Sequence, residues 1–361
     1  MSKIQKQIRN LYTISALSSF QLGSACWVAL LAARGFSLVE IGIAEGVFHV
    51  ASLLFELPSG VISDVFGRKK SMILSQCMFL LSALLMIVSK GLAGVCISLV
   101  CSAFGYNFAS GTREALAYDT LKSGGREGEY LRYSSTEFAI YRIGGAAAIL
   151  CAGIALKLGY RKANLLDMAV IFLCLAHCFR LKEIAVEEKQ FEGTVPRRLL
   201  RCFRESLDFL LHNGKSIGLM LWNAFAGSIS VLTAFFLQAR LPAAGLPELW
   251  LGPALFVTSL GGAIGAKAAM AAAQWRYRRI SLLCILGIAA ALLLSLQTLP
   301  VLMVLGGFLG NLFDDLLQIR TDALLNDRFP SAQRATLVSV SSLTFSVVMI
   351  LMSPLMGWLL S

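Results

Sequence analysis

Ionisable side chains recur within long apolar stretches of this sequence, at spacings that group them. Four polar residues follow one another by four, three and four positions: Glu45, His49, Ser52 and Glu56. This spacing places them on one stripe of an α-helix. Ionisable groups at membrane depth are costly and mark substrate or proton pathways, so we expect the stripe to face a cavity or an interface between helix bundles. The alternative is internal pairing that holds the helix against a neighbour.

A second set of ionisable residues lies in later apolar segments. Arg142 follows Glu137 and Tyr141, and a buried guanidinium needs an anionic partner or an anionic substrate. Asp314 and Asp315 are adjacent, and because neighbouring helix residues point about 100° apart, only one should face a cavity. That one is the candidate proton site, since a desolvated carboxylate holds a proton more readily than one in water. A structural Asp314–Arg142 ion pair is the alternative.

Uncharged side chains complete the candidate cavity lining. Gln21, Asn107 and Asn223 offer hydrogen bonds and Trp27 and Trp222 offer aromatic surface, a mixture typical of small-molecule sites. The sequence holds no HExxH or GxSxG spacing, so we expect neither an enzyme nor a cofactor. Nine cysteines lie mostly in apolar segments without CxxC pairs, so we expect no metal site and no disulfides.

The composition indicates that a membrane surrounds these residues. Of the 361 residues, 57% are hydrophobic and 15% are charged, whereas a soluble domain carries about 25% charged residues. The net charge of +11 is spread over short connections, which argues against nucleic-acid binding. Apolar segments of spanning length predict an all-α polytopic membrane protein with eleven helices in the lipid bilayer. They lie at about 11–33, 38–63, 71–89, 91–118, 133–157, 163–179, 217–239, 249–274, 280–296, 300–320 and 335–360.

Lys and Arg are distributed unevenly between the two sets of connections. With the N-terminus inside, 22 lie in cytoplasmic segments and 6 in the opposite ones. The positive-inside rule therefore predicts a cytoplasmic N-terminus. The start MSKIQKQIRN leads into an apolar run with no small-residue cleavage site, so we expect a retained first helix. We expect a multi-pass protein of the plasma (inner) membrane.

One extended polar stretch divides the chain into six helices and five. We predict an N-terminal bundle over 1–179, a basic cytoplasmic linker over 180–216 and a C-terminal bundle over 217–361. Between Arg197 and Leu211 apolar residues recur at helical spacing, which predicts an amphipathic helix on the cytoplasmic leaflet. A solvated linker is the alternative.

An internal repeat relates the two parts. The segment from Glu114 to Asp119 matches that from Asp322 to Asp327 at an offset of 208 residues, which equates helix four with helix ten. Parallel repeats around a central pathway are typical of transporters. The repeat also predicts a twelfth helix, so we expect the final helix of the second bundle to be missing from this chain.

The loop between the second and third predicted helices reads GVISDVFGRKK and carries a recognisable motif. It resembles the signature loop of the major facilitator superfamily, GxxxD(R/K)xGR(R/K), although Val65 stands where a basic residue is usual. The matching positions are Gly60, Asp64, Gly67, Arg68 and Lys69. The loop also lies at the place in the chain where that family has it.

The resemblance implies a two-bundle fold whose signature loop latches the halves in the outward-facing state. Arg68 and Lys69 are expected to pair with acids at the cytoplasmic end of helix four, of which Glu114 and Asp119 are the candidates. The alternative is that the basic residues of the loop only determine topology.

Within that family the chain is weakly similar to the multidrug and tetracycline efflux branch, from which it departs twice. Asn107 stands where drug–proton antiporters carry an arginine one turn before a glycine, here Gly111. Helix five contains Gly144, Gly145 and Gly153 but no proline.

These features predict a monomeric secondary transporter that moves a small molecule by alternating access. Proton-coupled efflux is favoured over uptake. A metabolite or nutrient symporter or a uniporter is the first alternative. The second alternative is of another class: a transporter-like membrane sensor, or a partner of another protein, that does not transport.

Overall fold

The computed structural model describes residues 3–184, 204, 212–328 and 334–361, and every regular element within them is helical. The side chain of Asp64 lies outside the described part. The predicted amphipathic helix at 197–211 also lies outside it, apart from Arg204. The predictions made for both therefore stay predictions.

Apolar periodicity and glycine or loop interruptions divide the described chain into fifteen α-helices. The first seven are α1 Lys3–Ser19, α2 Leu22–Ala25, α3 Trp27–Ala32, α4 Leu38–Phe66, α5 Arg68–Val88, α6 Leu92–Ala109 and α7 Thr112–Lys122. The next four are α8 Tyr130–Leu150, α9 Ala152–Leu158, α10 Tyr160–Arg180 and α11 Gly214–Ala243. The last four are α12 Leu251–Ala271, α13 Tyr277–Ser295, α14 Pro300–Arg328 and α15 Arg334–Leu359. Short 3-10 helices at Glu127–Glu129 and Glu248–Trp250 precede α8 and α12.

The first apolar segment forms three short helices instead of one long helix. α1 ends at Ser19, α2 is a single turn, and α3 begins after Cys26. Nine helices of the described residues are long and apolar enough to cross a bilayer, and α8 with α9 makes a tenth span, bent by 50°. The predicted count of eleven is therefore not confirmed, because the segment 11–33 is interrupted.

Two glycines with positive φ mark breaks between successive helices. Gly67 has φ +99° and separates α4 from α5, and Gly111 has φ +69° and separates α6 from α7. Residues with a Cβ rarely adopt this left-handed conformation, so glycine is required at both turns. The break at Gly111 lies within a single candidate span, Leu92–Lys122, and Arg113 follows two residues after it.

The fifth span bends although it contains no proline. α8 stops at Leu150 and α9 starts at Ala152, and a Cβ placed on Gly153 would overlap the carbonyl oxygen of Glu248. Small residues allow backbones to approach closely in membranes. Here Gly153 lets α9 lie directly against the 3-10 helix before α12.

The described contacts group into two compact units. Unit 1 comprises Met1–Ala25, Ala51–Ala148 and Leu158–Phe203, and unit 2 comprises Cys26–Val50, Ile149–Lys157 and Arg204–Ser361. The predicted division into bundles over 1–179 and 217–361 stays a prediction.

Each unit has its own apolar core. In unit 1, Leu11, Ile14, Leu116 and Cys178 are buried together from α1, α7 and α10. In unit 2, α12 packs closely along α14, and a Cβ on Gly261 or Gly265 would overlap backbone carbonyls of α14. Small residues at this helix contact are typical of packing in lipid.

Candidate functional site

A buried ion pair joins three helices of unit 1. Arg113 Nη2 lies 2.9 Å from Glu137 Oε1, and Ser15 Oγ donates a hydrogen bond of 2.6 Å to the same oxygen. Arg113 also lies 3.6 Å from Glu114 Oε1. The turn at Gly111 places Arg113 at the start of α7, where its guanidinium reaches α8. The structure therefore gives Glu137, predicted as a pathway residue, a cationic partner.

The sequence did not identify Arg113 as a site residue or as the partner of Glu137. Among the described residues, its Nε and the Oε2 of Glu114 are buried without a hydrogen-bond partner. Buried polar atoms normally have a hydrogen-bond partner, so these two atoms are unusual. The cluster has spare hydrogen-bonding capacity for a proton, a water or a polar ligand. An arginine inside a predicted span was the available signal.

Two predicted pathway residues and one residue predicted for the gate motif interact with Tyr106 of α6 in unit 1. Tyr106 interacts electrostatically with Glu56, Glu114 and Tyr141. Both Tyr106 and Tyr141 are more than half exposed. Tyr106 was not predicted, because a single tyrosine in an apolar run gives no periodic signal.

Arg142 lies exposed on α8, with its guanidinium carbon 5.1 Å from the centre of the Phe138 ring. Stacking on an aromatic face stabilises a cation by about 0.5–1 kcal/mol at exposed sites. Arg142 falls in unit 1 and Asp314 in unit 2, so the alternative of an ion pair between them stays a prediction.

Asn107 connects α6 to α4 through two hydrogen bonds. Ser52 Oγ donates to Asn107 Oδ1 at 2.9 Å, and Asn107 Nδ2 donates to the Ser52 carbonyl oxygen at 2.9 Å. Both residues are buried. At the position where the antiporters carry an arginine, this chain thus has an uncharged side chain that joins two helices by hydrogen bonds.

Asp167 of α10 binds the interrupted first span and was not predicted. Its Oδ2 accepts hydrogen bonds from the backbone N–H of Ser24 at 3.0 Å and from Ser24 Oγ at 3.4 Å. Ser24 Oγ also lies 3.0 Å from Gln21 Oε1, which places the predicted residue Gln21 beside the break. Asp167 is 3% exposed, and its Oδ1 is buried without a partner among the described residues.

The predicted stripe on α4 is divided between the two units. Glu45 and His49 are buried in unit 2, where Glu45 Oε1 lies 3.4 Å from His49 Nε2 and His49 Nδ1 lies 3.4 Å from Ser346 Oγ of α15. Gly42 and Gly46 sit on the same face, and a Cβ on Gly42 would overlap the α15 backbone. In this half of the stripe, Glu45 and His49 thus form a pair that lies against α15, as in the alternative of internal pairing. The expected cavity or interface between helix bundles stays a prediction.

Asp314 and Asp315 of α14 point to different neighbours. A Cβ on Gly227 of α11 would lie 3.2 Å from Asp314 Oδ1, whereas one on Gly262 of α12 would overlap the Asp315 carboxylate. Asp314 is 7% exposed and Asp315 is half-buried. Within the described part of unit 2, no Lys, Arg or His lies within ion-pair distance of Asp314.

Two further predicted residues lie on α11. Trp222 Nε1 donates a hydrogen bond of 2.7 Å to Ser281 Oγ, and the Trp222 ring is 40% exposed. Asn223 Oδ1 is buried without a hydrogen-bond partner among the described residues. Its amide therefore retains an acceptor for a ligand or a water.

The signature loop at the start of α5 forms a charged network in unit 1. Arg68 Nη1 makes an ion pair with Asp119 Oδ2, one of the two expected acids. Lys69 Nζ donates to the Phe179 carbonyl oxygen at 2.9 Å. The other expected acid, Glu114, has Arg113 as its ion-pair partner. Gly60 lies exposed on α4, before this network.

Glu183 caps α5 and was not predicted. Its two carboxylate oxygens accept the backbone N–H groups of Arg68 at 2.9 Å and Lys69 at 3.0 Å. A carboxylate is stabilising at a helix N-terminus, where backbone donors lack partners. A Cβ on Gly67 would lie 2.7 Å from Glu183 Oε2, so a larger residue here would displace the capping carboxylate.

The described residues hold no group of three or more His, Cys, Asp or Glu side chains that could bind a metal ion.

A sequence model of the Major Facilitator Superfamily matches residues 11–275, which is more than half of the chain. The chain belongs to the Major Facilitator Superfamily. It is an all-α, multi-pass membrane protein, as the sequence predicts.

Curated relatives of this superfamily member match over short segments. The chain is 37% identical over 62 residues to the uncharacterized MFS-type transporter YxaM of Bacillus subtilis (strain 168), covering 17% of this chain and 16% of that protein. It is 29% identical over 86 residues to an uncharacterized transporter of Buchnera aphidicola subsp. Schizaphis graminum (strain Sg), covering 24% and 22%. The matched parts thus span less than a quarter of either relative.

Solved structures of the same superfamily match over nearly the whole chain. A crystal structure of a variant of the nucleoside transporter NupG has a TM-score of 0.74 and 14% identity, covering 96% of this chain and 90% of that one. A bacterial homologue of the human lysosomal transporter Spinster, inward-facing and unoccupied, has a TM-score of 0.73 and 14% identity, covering 98% and 82%. At this identity the likeness shows the fold.

Proposed function

We propose that this Major Facilitator Superfamily member is a secondary transporter that moves a small molecule by alternating access, coupled to protons. The observation that carries the proposal is that each unit holds a buried carboxylate within a span: Glu137 in unit 1 and Asp314 in unit 2. Such groups are retained in membranes where they serve a pathway, because their burial is costly.

The two carboxylates have different surroundings, which suits two different roles. Glu137 is neutralised by Arg113 and bonded by Ser15, so a proton on Glu137 would release the guanidinium for an anionic or polar substrate group. Asp314 has no described cation beside it in unit 2 and lies against Gly227, where it can bind and release a proton. We assign Asp314 to proton exchange and the Arg113–Glu137 pair to substrate-linked charge exchange.

We propose that the direction of transport is efflux of a small amphipathic compound from the cell. In this proposal the N-terminus of the protein lies in the cytoplasm. In unit 1, the exposed side chains of Tyr106 and Tyr141 offer aromatic and hydrogen-bonding surface for such a compound. Because NupG is a nucleoside transporter, nucleosides belong in the ligand screen beside amphipathic cations.

The test begins with the ligand. Candidate compounds are screened by thermal shift of the purified protein, since a ligand that binds the folded state stabilises it. The best ligand is then followed in proteoliposomes under imposed pH gradients. We expect transport against its concentration gradient when a proton gradient is applied. Asp314→Asn should abolish this accumulation but retain ligand binding, because only the proton site is removed.

The matched control is Asp327→Asn, which removes the same charge from an exposed position of the same helix. It should transport like the unmodified protein. Accumulation by Asp314→Asn at the unmodified rate would overturn the proton assignment. Ligand flux that is indifferent to the pH gradient would replace proton coupling with uniport. Accumulation in the direction of proton flow would replace efflux with symport.

A further inference from the structure

A cavity of about 300 Å³ opens in unit 1 between α1, the end of α7 and the start of α8. Its lining is partly apolar and partly aromatic, with Ile4, Ile8 and Leu121 beside Tyr12 and Tyr133. It lies at the helix ends that the sequence predicts to be cytoplasmic. The transport function proposed above does not use this cavity.

The charged side chains that line the cavity are mostly arginines. Arg9, Arg126 and Arg132 line it together with one acid, Glu129. Arg126 engages that acid through two hydrogen bonds, Nε to Oε1 at 2.6 Å and Nη2 to Oε2 at 2.8 Å. The lining therefore holds three guanidinium groups and one carboxylate, with Arg9 contributed by α1 and Arg132 by α8.

The tyrosine at the base of the cavity offers an unused hydrogen-bonding group. Tyr133 is 3% exposed, and among the described residues its hydroxyl group is buried without a partner. Its ring is held in place by stacking on Tyr12, with ring centres 5.1 Å apart. This hydroxyl interacts electrostatically with Arg113, and, like the guanidinium groups of the lining, it can donate a hydrogen bond to an oxyanion.

We propose that this cavity, formed by Arg9, Arg132, Tyr12 and Tyr133, binds the phosphate group of an anionic phospholipid of the membrane leaflet. Guanidinium groups match phosphate oxygens in geometry as well as charge. Basic pockets between helices on the cytoplasmic side attract anionic headgroups. The volume suits a headgroup, and the apolar side chains of Ile4 and Ile8 on α1 flank it for the start of an acyl chain.

A ligand bound in this cavity would change the electrostatic environment of the buried Arg113–Glu137 pair. Tyr133 precedes Glu137 by one turn of α8 and interacts electrostatically with Arg113, Glu114 and Glu137. A phosphate bonded to Tyr133 would add negative charge next to this cluster. The lipid is therefore placed to influence the same helices that hold the Arg113–Glu137 pair.

The test measures lipid binding to the full chain in detergent by native mass spectrometry, with phosphatidylglycerol and phosphatidylcholine as probes. We expect phosphatidylglycerol to bind at least about tenfold more tightly than phosphatidylcholine, because only the former carries net charge. Arg9→Gln with Arg132→Gln should remove this preference. Tyr133→Phe should weaken phosphatidylglycerol binding by about threefold to tenfold, through loss of one charge-assisted hydrogen bond.

The matched control is Arg161→Gln with Lys162→Gln, which removes two exposed charges at the start of α10. It should keep the full preference for phosphatidylglycerol, and thermal unfolding of every variant verifies that it is folded. An unchanged preference in the Arg9 and Arg132 variant would overturn the proposal. Displacement of the lipid by millimolar inorganic phosphate or glycerol 3-phosphate, with equal affinity, would assign the site to a soluble phosphate compound instead.

Discussion

Buried ionic side chains in this protein are bound mostly by groups on other helices. Glu137 receives Arg113 from α7 and Ser15 from α1, and Asp167 receives the backbone of the first span. Taking a charge out of water is unfavourable unless a partner compensates for it. Each of these carboxylates therefore acts as a fixed point at which several helices must meet.

Removing one member of the Arg113–Glu137 pair should destabilise the protein more than removing both. Glu137→Gln leaves the largely buried guanidinium with only Glu114, at 3.6 Å, as an anion, and Arg113→Met leaves the Glu137 carboxylate without its cation. Each should therefore lower the free energy of unfolding by about 3 kcal/mol. The double variant should lose much less than the sum, since no uncompensated charge remains. Chemical denaturation of the purified protein in detergent measures all three variants.

Glu114→Gln serves as the control for this comparison. Its side chain is 41% exposed and lies 3.6 Å from Arg113, so its loss should change stability little. Strictly additive effects in the Arg113 and Glu137 variants would contradict the coupling.

Two helix interruptions in this fold are bound by carboxylate side chains from other parts of the chain. α2 is held by Asp167, and the start of α5 is held by Glu183. In both cases a carboxylate binds N–H groups that an uninterrupted helix would satisfy internally. The break at α2 lies in an apolar segment and is stable there because Asp167 accepts a hydrogen bond from its backbone donor.

Asp167→Leu should destabilise the interrupted first span. The N–H groups around Ser24 lose their acceptor, which costs about 1–3 kcal/mol for a buried donor. Asp167→Asn retains a carbonyl oxygen of the same shape and should restore most of the stability. Thermal unfolding of both variants measures the difference. If the leucine variant matched the asparagine variant, the hydrogen bonds to Asp167 would not be what stabilises the break.

The proposed transport cycle requires helices of this protein to change their contacts. Alternating access requires helix contacts that close one side of the pathway to separate later. The contact between the first half of α4 and α15 in unit 2 is built for close approach, with Gly42 and Gly46 against Ser353 and Ile350. If the proposed cycle is correct, this contact opens during transport.

A disulfide across this contact should stop transport reversibly. A Cβ on Gly46 would lie 3.9 Å from the Cα of Ile350, a separation compatible with a disulfide between the two positions. We expect Gly46→Cys with Ile350→Cys, in a background without native cysteines, to lose transport on oxidation and regain it with dithiothreitol. Each single cysteine variant is the control. Full transport by the oxidised, cross-linked protein would show that the contact stays closed throughout.

Part of the candidate site could be predicted from the sequence because it depends on nearby positions and residue type. The signature loop places Arg68 within reach of the end of helix four, and Asp119 is its partner. The pair on the Glu45 stripe, which the sequence offered as the alternative arrangement, also follows from a spacing of four residues. Arg113, Asp167 and Glu183 were missed, since their importance depends on which distant helix each one meets.

The sequence by itself determined that this chain is helical, spans a membrane and belongs with major facilitator proteins. Apolar segment length and a contiguous motif determine those properties, and both can be read along the chain. Only the tertiary structure decided that the first span is broken, that Glu137 pairs with Arg113 and that Asp314 and Asp315 face different helices. Helical periodicity indicates which face of a helix is polar, but packing in three dimensions determines which group that face contacts.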